Sequence, residues 1–161
     1  MQNMKIRNLL ALLAITPTCW ALESDRIAKL IFEGEGCTTK MKVNQTECLK
    51  RIRIEQGTLL IKAEYGLVTH QKQGINNVLL KGHQAYMEQM MEDNDKLVIK
   101  ANEIDYQKAA EIVYLSGNVS ITSSIGVTTG EDLEFNLKTQ EMISTSKSHQ
   151  PFRMEIDQKD D

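Results

Sequence analysis

The 161-residue chain is short of the groups that most chemistry requires, with only three histidines and three cysteines in all. His70, His83 and His149 are scattered without ligand spacing, so a metal site lacks its ligands. There is no nucleophile elbow and no His placed beside a matching Ser or Cys, which leaves an enzyme without support and calls for no cofactor. Gly34-x-Gly36 is too short for a dinucleotide fingerprint, and nothing resembles a phosphate-binding loop. A formal charge of −3 with no basic tract argues against nucleic acid as a partner. No apolar run approaches the roughly 20 residues that span a bilayer. Aromatic residues make up 5% of the chain and no long helical pattern occurs, which points to an all-β fold of short strands.

What is present begins with a leader. Met1 to Ala21 carries Lys5 and Arg7, an apolar section from Leu9 to Ile15, Pro17, and small residues at Cys19 and Ala21. That order reads as a secretory signal cut between Ala21 and Leu22. Lipidation at Cys19 is set aside, because Thr16-Pro17-Thr18 lacks the apolar and small residues such a site wants. Losing Lys5 and Arg7 takes the formal charge from −3 to −5. The expected organisation is a leader over 1–21, one β domain over 22–145, and a polar tail or edge strand over 146–161.

Two cysteines, Cys37 and Cys48, remain in an exported chain, and a disulfide is the default there. They lie symmetrically about Lys42 and Val43, as cross-strand neighbours of a hairpin turning over Lys40 to Gln45 would. Whether they pair within one chain the sequence leaves open. A first strand is expected from Ile27 to Glu33, bent or bulged at Gly34 and Gly36. Alternation then continues: Ile52 and Ile54 against Arg51 and Arg53, a turn at Gln56-Gly57, and Leu59, Ile61 and Ala63 against Lys62 and Glu64. Lys50, Arg51 and Arg53 read as a solvated strand face in preference to a phosphate site. Val78, Leu80 and Gly82 lead into a strand through Tyr86 and Met87, and Gln89 to Asp95 is expected as a loop with a short helical turn at Met90-Met91.

The centre of the chain is a hairpin from Lys96 to Thr122. Leu97, Ile99 and Ala101 share one face of its first arm, and Val113, Leu115, Gly117, Val119 and Ile121 keep one parity in its second. After it Leu133, Phe135 and Leu137 alternate, and the tail from Ser146 either frays or adds an edge through Phe152, Met154 and Ile156. Related units recur. Ala63, Ala101 and Gly130 are each followed five positions later by a large apolar residue, Val68, Tyr106 and Phe135. Leu80-Lys81-Gly82 matches Leu115-Ser116-Gly117. Such recurrence predicts antiparallel hairpins stacked on a shared axis, each turning a corner at its small residue. A membrane barrel is rejected on two grounds: arms mostly shorter than the roughly 9 to 11 residues needed, and Lys or Arg on the would-be lipid face at about 2–4 kcal/mol each. Glu103, Asp105 and Glu131 read as turn or corner acids.

From about Leu30 to Met142 these residues resemble the periplasmic lipopolysaccharide-transport proteins of the LptA/OstA-like type. The likeness is carried by QGTLLIKA, by LVIKANEIDYQKAAEIVYLSGNVSIT and by GEDLEFNLKTQEM, with Leu115-Ser116-Gly117-Asn118-Val119 fitting the family pattern fully. Ala101-Asn102 and Ala63-Glu64 depart from it at the acidic corner position, and Lys50-Arg51 stands where a first Gly-Asn is expected. The resemblance implies an open, twisted β-jellyroll in the periplasm whose apolar inside holds the lipid A acyl chains of lipopolysaccharide. It also implies end-to-end self-association, an LptC-like partner at the inner membrane and an LptD-like partner at the outer. The inward set would be Leu30 and Phe32; Ile52, Ile54, Leu59 and Ile61; Leu97 and Ile99; Val113, Leu115, Val119 and Ile121; and Leu133 and Phe135. Parity alone leaves open whether that interior is a groove or a sealed core. The rival reading is a structural or adhesive β-repeat protein that binds partners through its edges and carries no lipid.

Overall fold

The computed structural model describes residues 23–72, 74–91, 93–145 and 151–156; the expected leader over 1–21 and residues 146–150 and 157–161 of the expected tail lie outside them. A helical turn, α1 (Glu23–Ile27), precedes ten strands: β1 (Leu30–Lys40), β2 (Gln45–Gln56), β3 (Leu59–Ala63), β4 (Tyr65–Gln71), β5 (Gly74–Met90), β6 (Lys96–Gln107), β7 (Ile112–Ser123), β8 (Gly126–Asn136), β9 (Glu141–Ser144) and β10 (Arg153–Ile156). All ten join one antiparallel sheet in the order β1-β2-β3-β5-β6-β7-β8-β10, with β4 between β2 and β5 and β9 beside β8.

The long strands are bent rather than interrupted. Pairing register breaks between Glu35 and Cys37, Lys81 and Ala85, Lys100 and Glu103, and Ser116 and Val119, and β3 gives way to β4 at Glu64. These breaks lie side by side across the sheet and form a seam. Extra residues at a bulge bend the strand and leave the ladder free to resume beyond it. Gly36 and Gly117 sit on the seam with φ of 63° and 77°, a region glycine occupies without steric cost. On either side of the seam the sheet forms one half, named here for Ile54 and Val68. Lys108, at the end of the Val68 half, donates to Gln56 Oε1 at the end of the Ile54 half over 2.6 Å, so the two halves face each other.

The bend corrects four expectations. Strand β1 starts at Leu30, since Ile27 belongs to a helical turn that Asp25 pins by accepting the Thr58 backbone N–H at 3.0 Å. β5 runs on to Met90, because Gln89 pairs with Leu97 and Met90 with Lys96, leaving no helical turn and a shorter loop. Six strands have 11 to 17 residues, so the argument from short arms against a membrane barrel fails; the seam hid their continuity. Asp105 is no turn acid: it stands in β6 and accepts from Asn77 and Gln107.

Cys37 and Cys48 are register partners in β1 and β2 and are joined as a disulfide. It tucks into the seam where Gly34 has no side chain: a Cβ there would lie 2.6 Å from Cys48 Sγ. The disulfide therefore fixes the far part of an edge strand that has a neighbour on one side only.

The outer face is polar and laced with ion pairs: Arg51 with Glu35 at 2.8 Å, Lys81 with Glu103 at 2.9 Å and Lys96 with Glu88 at 2.8 Å. Glu88 also accepts from the Tyr86 hydroxyl. Bonds from Lys96 and then Tyr86 hold the Glu88 carboxyl below its ordinary range. Burial, reinforced by the Glu88 carboxylate, pushes Tyr86 up to about 12.

Two outcomes are expected. Replacing both cysteines, Cys37→Ala with Cys48→Ala, removes a short closed loop and should cost about 2–3 kcal/mol in urea denaturation. Wild type under reductant should match the double variant, and a variant as stable as the oxidised protein would refute the stapling role. Because the folded pKa of Glu88 is depressed, its stabilisation is full above the unfolded value near 4.5 and is lost as pH falls through the folded value. Glu88→Gln should thus be less stable than wild type at pH 7, with the difference closing in acid.

Candidate functional site

Antiparallel pairing places side chains in rows that run across the strands, perpendicular to each chain. In the Ile54 half one inward row reads Phe32, Ile54, Ile61, Met87, Ile99, Ile121, Thr128 and Met154, from β1 at one edge to β10 at the other. In the Val68 half a second reads Thr46, Val68, Val78, Tyr106, Val113, Phe135 and Met142, and beside it a third reads Cys48, Gly66, Leu80, Ile104, Leu115 and Leu133. The first row runs from edge to edge with Thr128 as its one polar member; the second begins in β1 at Thr39 and is apolar from Val68 on, and the third, begun by Cys37, ends at Ser144 of β9. The residues that the repeat singles out, Val68, Tyr106 and Phe135, stand in one row.

Of the inward set expected from sequence, Ile52, Ile54, Leu59, Ile61, Leu97, Ile99, Val113, Leu115, Val119, Ile121, Leu133 and Phe135 are buried in a single cluster. Leu30 and Phe32, on the edge strand, are half-buried and pack against it. Both halves contribute to that cluster, and every member is at most 6% exposed, so the facing rows close on each other. The inward set left out Val68, Ile75, Val78, Leu80, Ala85, Met87, Met91, Ala101, Ile104 and Tyr106, all buried there, although alternation had placed Ala101 on the face of Leu97 and Ile99. The signal that would have found them is the seam. In β6 the inward side passes from Leu97, Ile99 and Ala101 to Ile104 and Tyr106, and in β5 from Val78 and Leu80 to Ala85 and Met87.

A few polar groups point inward near the strand ends. Thr46 contacts Thr39 at 3.0 Å and the His70 ring at 2.8 Å. Gln56 donates to the Ala28 carbonyl at 3.2 Å and accepts from Lys108. Gln89 is buried too, with no hydrogen-bond partner for its amide oxygen. Among the described residues no three His, Cys, Asp or Glu side chains gather as metal ligands would, and no helix is long and apolar enough to cross a membrane. The outer face holds a depression of about 590 Å³ lined by Arg51, Arg53, Lys62, Glu33, Glu64 and Tyr86. Its arginines are already paired, Arg51 with Glu35 and Arg53 with Glu55, as on a solvated face.

Among the described residues each edge is paired on one side only, and both carry apolar side chains. At one end lie Leu30, Ile31 and Phe32 of β1; at the other Ile143 of β9 and Phe152, Met154 and Ile156 around β10 are exposed. An open edge of this kind is a template for another strand.

No curated protein matches the chain. Among solved structures it is similar to LptH of Pseudomonas aeruginosa, described as the LptA-homologous periplasmic component of a lipopolysaccharide transport device. The two share 19% identity and a TM-score of 0.73 over 84% of this chain and 99% of that one, a likeness of fold: an open β-jellyroll. A family model described as LptA/(LptD N-terminal domain) LPS transport protein matches residues 33–141. That match takes in every strand from within β1 to the start of β9, and the family's work is transport, without enzymatic chemistry. The chain belongs to the LptA/LptD N-terminal-domain family of lipopolysaccharide-transport proteins.

Proposed function

We propose that this protein is a periplasmic bridge that holds the acyl chains of lipopolysaccharide between its two half-sheets and passes them from the inner toward the outer membrane. The observation that carries the reading is the set of largely apolar rows that cross the sheet, the first of them from edge strand to edge strand with Thr128 alone polar. A row that reaches both edges continues into whatever strand docks there. Burying a methylene is worth about 0.8 kcal/mol, so ten methylenes of one chain amount to roughly 8 kcal/mol without any polar contact. The leader over 1–21 would export the chain. The sequence contains no nucleotide-binding loop, so the energy for passage comes from outside it.

Strand direction supports end-to-end stacking. Neighbouring strands alternate from β1 to β10, so β1 of a second copy would lie antiparallel to β10 and extend the sheet. An outward row supports the same register, beginning with Glu33 beside Arg53 and ending with Arg153 beside Thr129. Stacked copies would bring Glu33 against Arg153. An LptC-like inner-membrane protein and an LptD-like outer-membrane protein would occupy the two terminal edges in the same way. The exposed Phe152, Met154 and Ile156 also favour a second reading, a structural β-repeat protein that joins partners through its edges and carries no lipid.

Two experiments bear on these readings. A photocrosslinker at Ile54 or Leu115 should capture lipopolysaccharide in cells while one at Arg53 should not; capture from Arg53 alone would sink the lipid path. Arg153→Glu should weaken self-association several-fold in sedimentation, and adding Glu33→Arg should restore it. A loss that the second change leaves unrepaired would argue against this stacking register.

A further inference from the structure

Buried polar side chains that lack a partner are few in folded proteins, and each asks for an explanation. Among the described residues the amide oxygen of Gln89 is the one such side-chain atom, on a residue 6% exposed. Other inward polar groups differ: Gln56 is held by Ala28 and Lys108, and Thr46 by Thr39 and His70. Gln89 lies in β5, paired with Leu97 and one step past the Leu60–Glu88 pair, in the inward row nearest the open side of the Ile54 half. Around it the inward positions are Leu59, Met87, Leu97 and Ile99. A leucine or methionine at this place would match the flanking Leu59 and Leu97 and cost nothing in unmet hydrogen bonding.

We infer that Gln89 recognises a hydrogen-bond donor carried on an acyl chain close to its head, a β-hydroxyl or an acyl amide N–H. This rests on the acyl-chain reading and adds a point of selectivity to it. The chemistry narrows the ligand. An amide oxygen accepts and cannot donate, so a plain alkyl segment leaves it unmet. A charged donor is disfavoured, because Leu59, Met87, Leu97 and Ile99 flank the oxygen and Asp25, a buried carboxylate at this end of the sheet, is already engaged by Thr58. The donor must therefore be neutral and sit on a chain that is otherwise at home among leucine and methionine. Position fixes where on the chain it belongs. From Gln89 to Ala85 at the seam β5 advances four residues, about 13 Å of apolar depth for a tail. The Lys108–Gln56 contact marks the opposite, polar limit, where a head would remain.

The test uses the mature protein and two probes alike but for one group, dodecanoic acid and 3-hydroxydodecanoic acid, titrated by calorimetry. Wild type should bind the hydroxy acid about 5–10-fold more tightly. Gln89→Leu and Gln89→Met should abolish that preference, keep the affinity for dodecanoic acid within about twofold, and raise the melting temperature of the unliganded protein. Equal binding of both acids by wild type, or a preference that survives in either variant, overturns the inference and leaves acyl-chain binding standing. Variants that melt lower than wild type also overturn it, since the carbonyl would then be satisfied structurally. Failure of either acid to bind overturns the acyl-chain reading, and this inference with it.

Discussion

Everything in this fold depends on a bend that the long strands make at the same level. A flat antiparallel sheet with one apolar face has nothing to bury that face against, and among the described residues no helix is long enough to cover it. Folding the sheet along a seam turns its one apolar face into two that meet. The bulges at Glu35–Cys37, Lys81–Ala85, Lys100–Glu103 and Ser116–Val119 do this without breaking the ladder, so β5 can run for 17 residues and serve both halves. Crossing the seam would carry alternate side chains to the wrong face unless residues were added there. In β7, which advances three residues from Ser116 to Val119 where β8 advances two, Gly117 and Asn118 are left-handed, and Val113, Leu115, Val119 and Ile121 all stay inward. In β6 the inward side passes from Ala101 to Ile104.

That same device explains what could be read from the residues and what could not. Within a straight segment, period-two alternation is enough, which is why Ile52, Ile54, Leu97, Ile99, Leu133 and Phe135 are legible as inward. Across the seam the parity changes by an amount that depends on bulge geometry, and single-sequence alternation has no access to it. Val68, Val78, Ile104 and Tyr106 were therefore absent from the inward set, although the five-residue interval from Ala63 to Val68 and from Ala101 to Tyr106 was the trace of the shift. Strand lengths were underestimated for the same reason, since a bulge resembles an end. The α1 turn was illegible on other grounds. Its place depends on Asp25 reaching Thr58, a contact across 33 positions that no local pattern announces.

A seam leaves the sheet open at both ends, and the two ends are treated differently. At the β1 edge the Cys37–Cys48 disulfide holds the outlying segment covalently. At the other edge β8 is completed by two short strands, β9 along the Val68 half and β10 along the Ile54 half, each of four residues. Short edge strands that carry charge, as Arg153 and Glu155 do, are a usual defence against indiscriminate pairing. The apolar residues left exposed there, Met154 and Ile156, work against that defence, and a surface that is both guarded and apolar fits an edge meant for one particular neighbour.

The closure of the interior bears on how a bridge of this kind could release what it holds. The inward rows bury one another to within a few per cent of full burial. An acyl chain sliding between them would exchange contacts of leucine with isoleucine for contacts of either with methylene, and most of the gross gain of burial would be offset by the contacts it separates. Net affinity at any one level of the stack would be modest. Along the rows each level has nearly the same composition, so a chain displaced by one strand spacing loses and regains similar contacts. Modest and nearly uniform affinity is what a passive conduit requires, because a deep well anywhere on the path would stop the traffic. On this reading the apolar rows supply passage and their few inward polar groups supply selectivity, with the bend in every strand holding the two together.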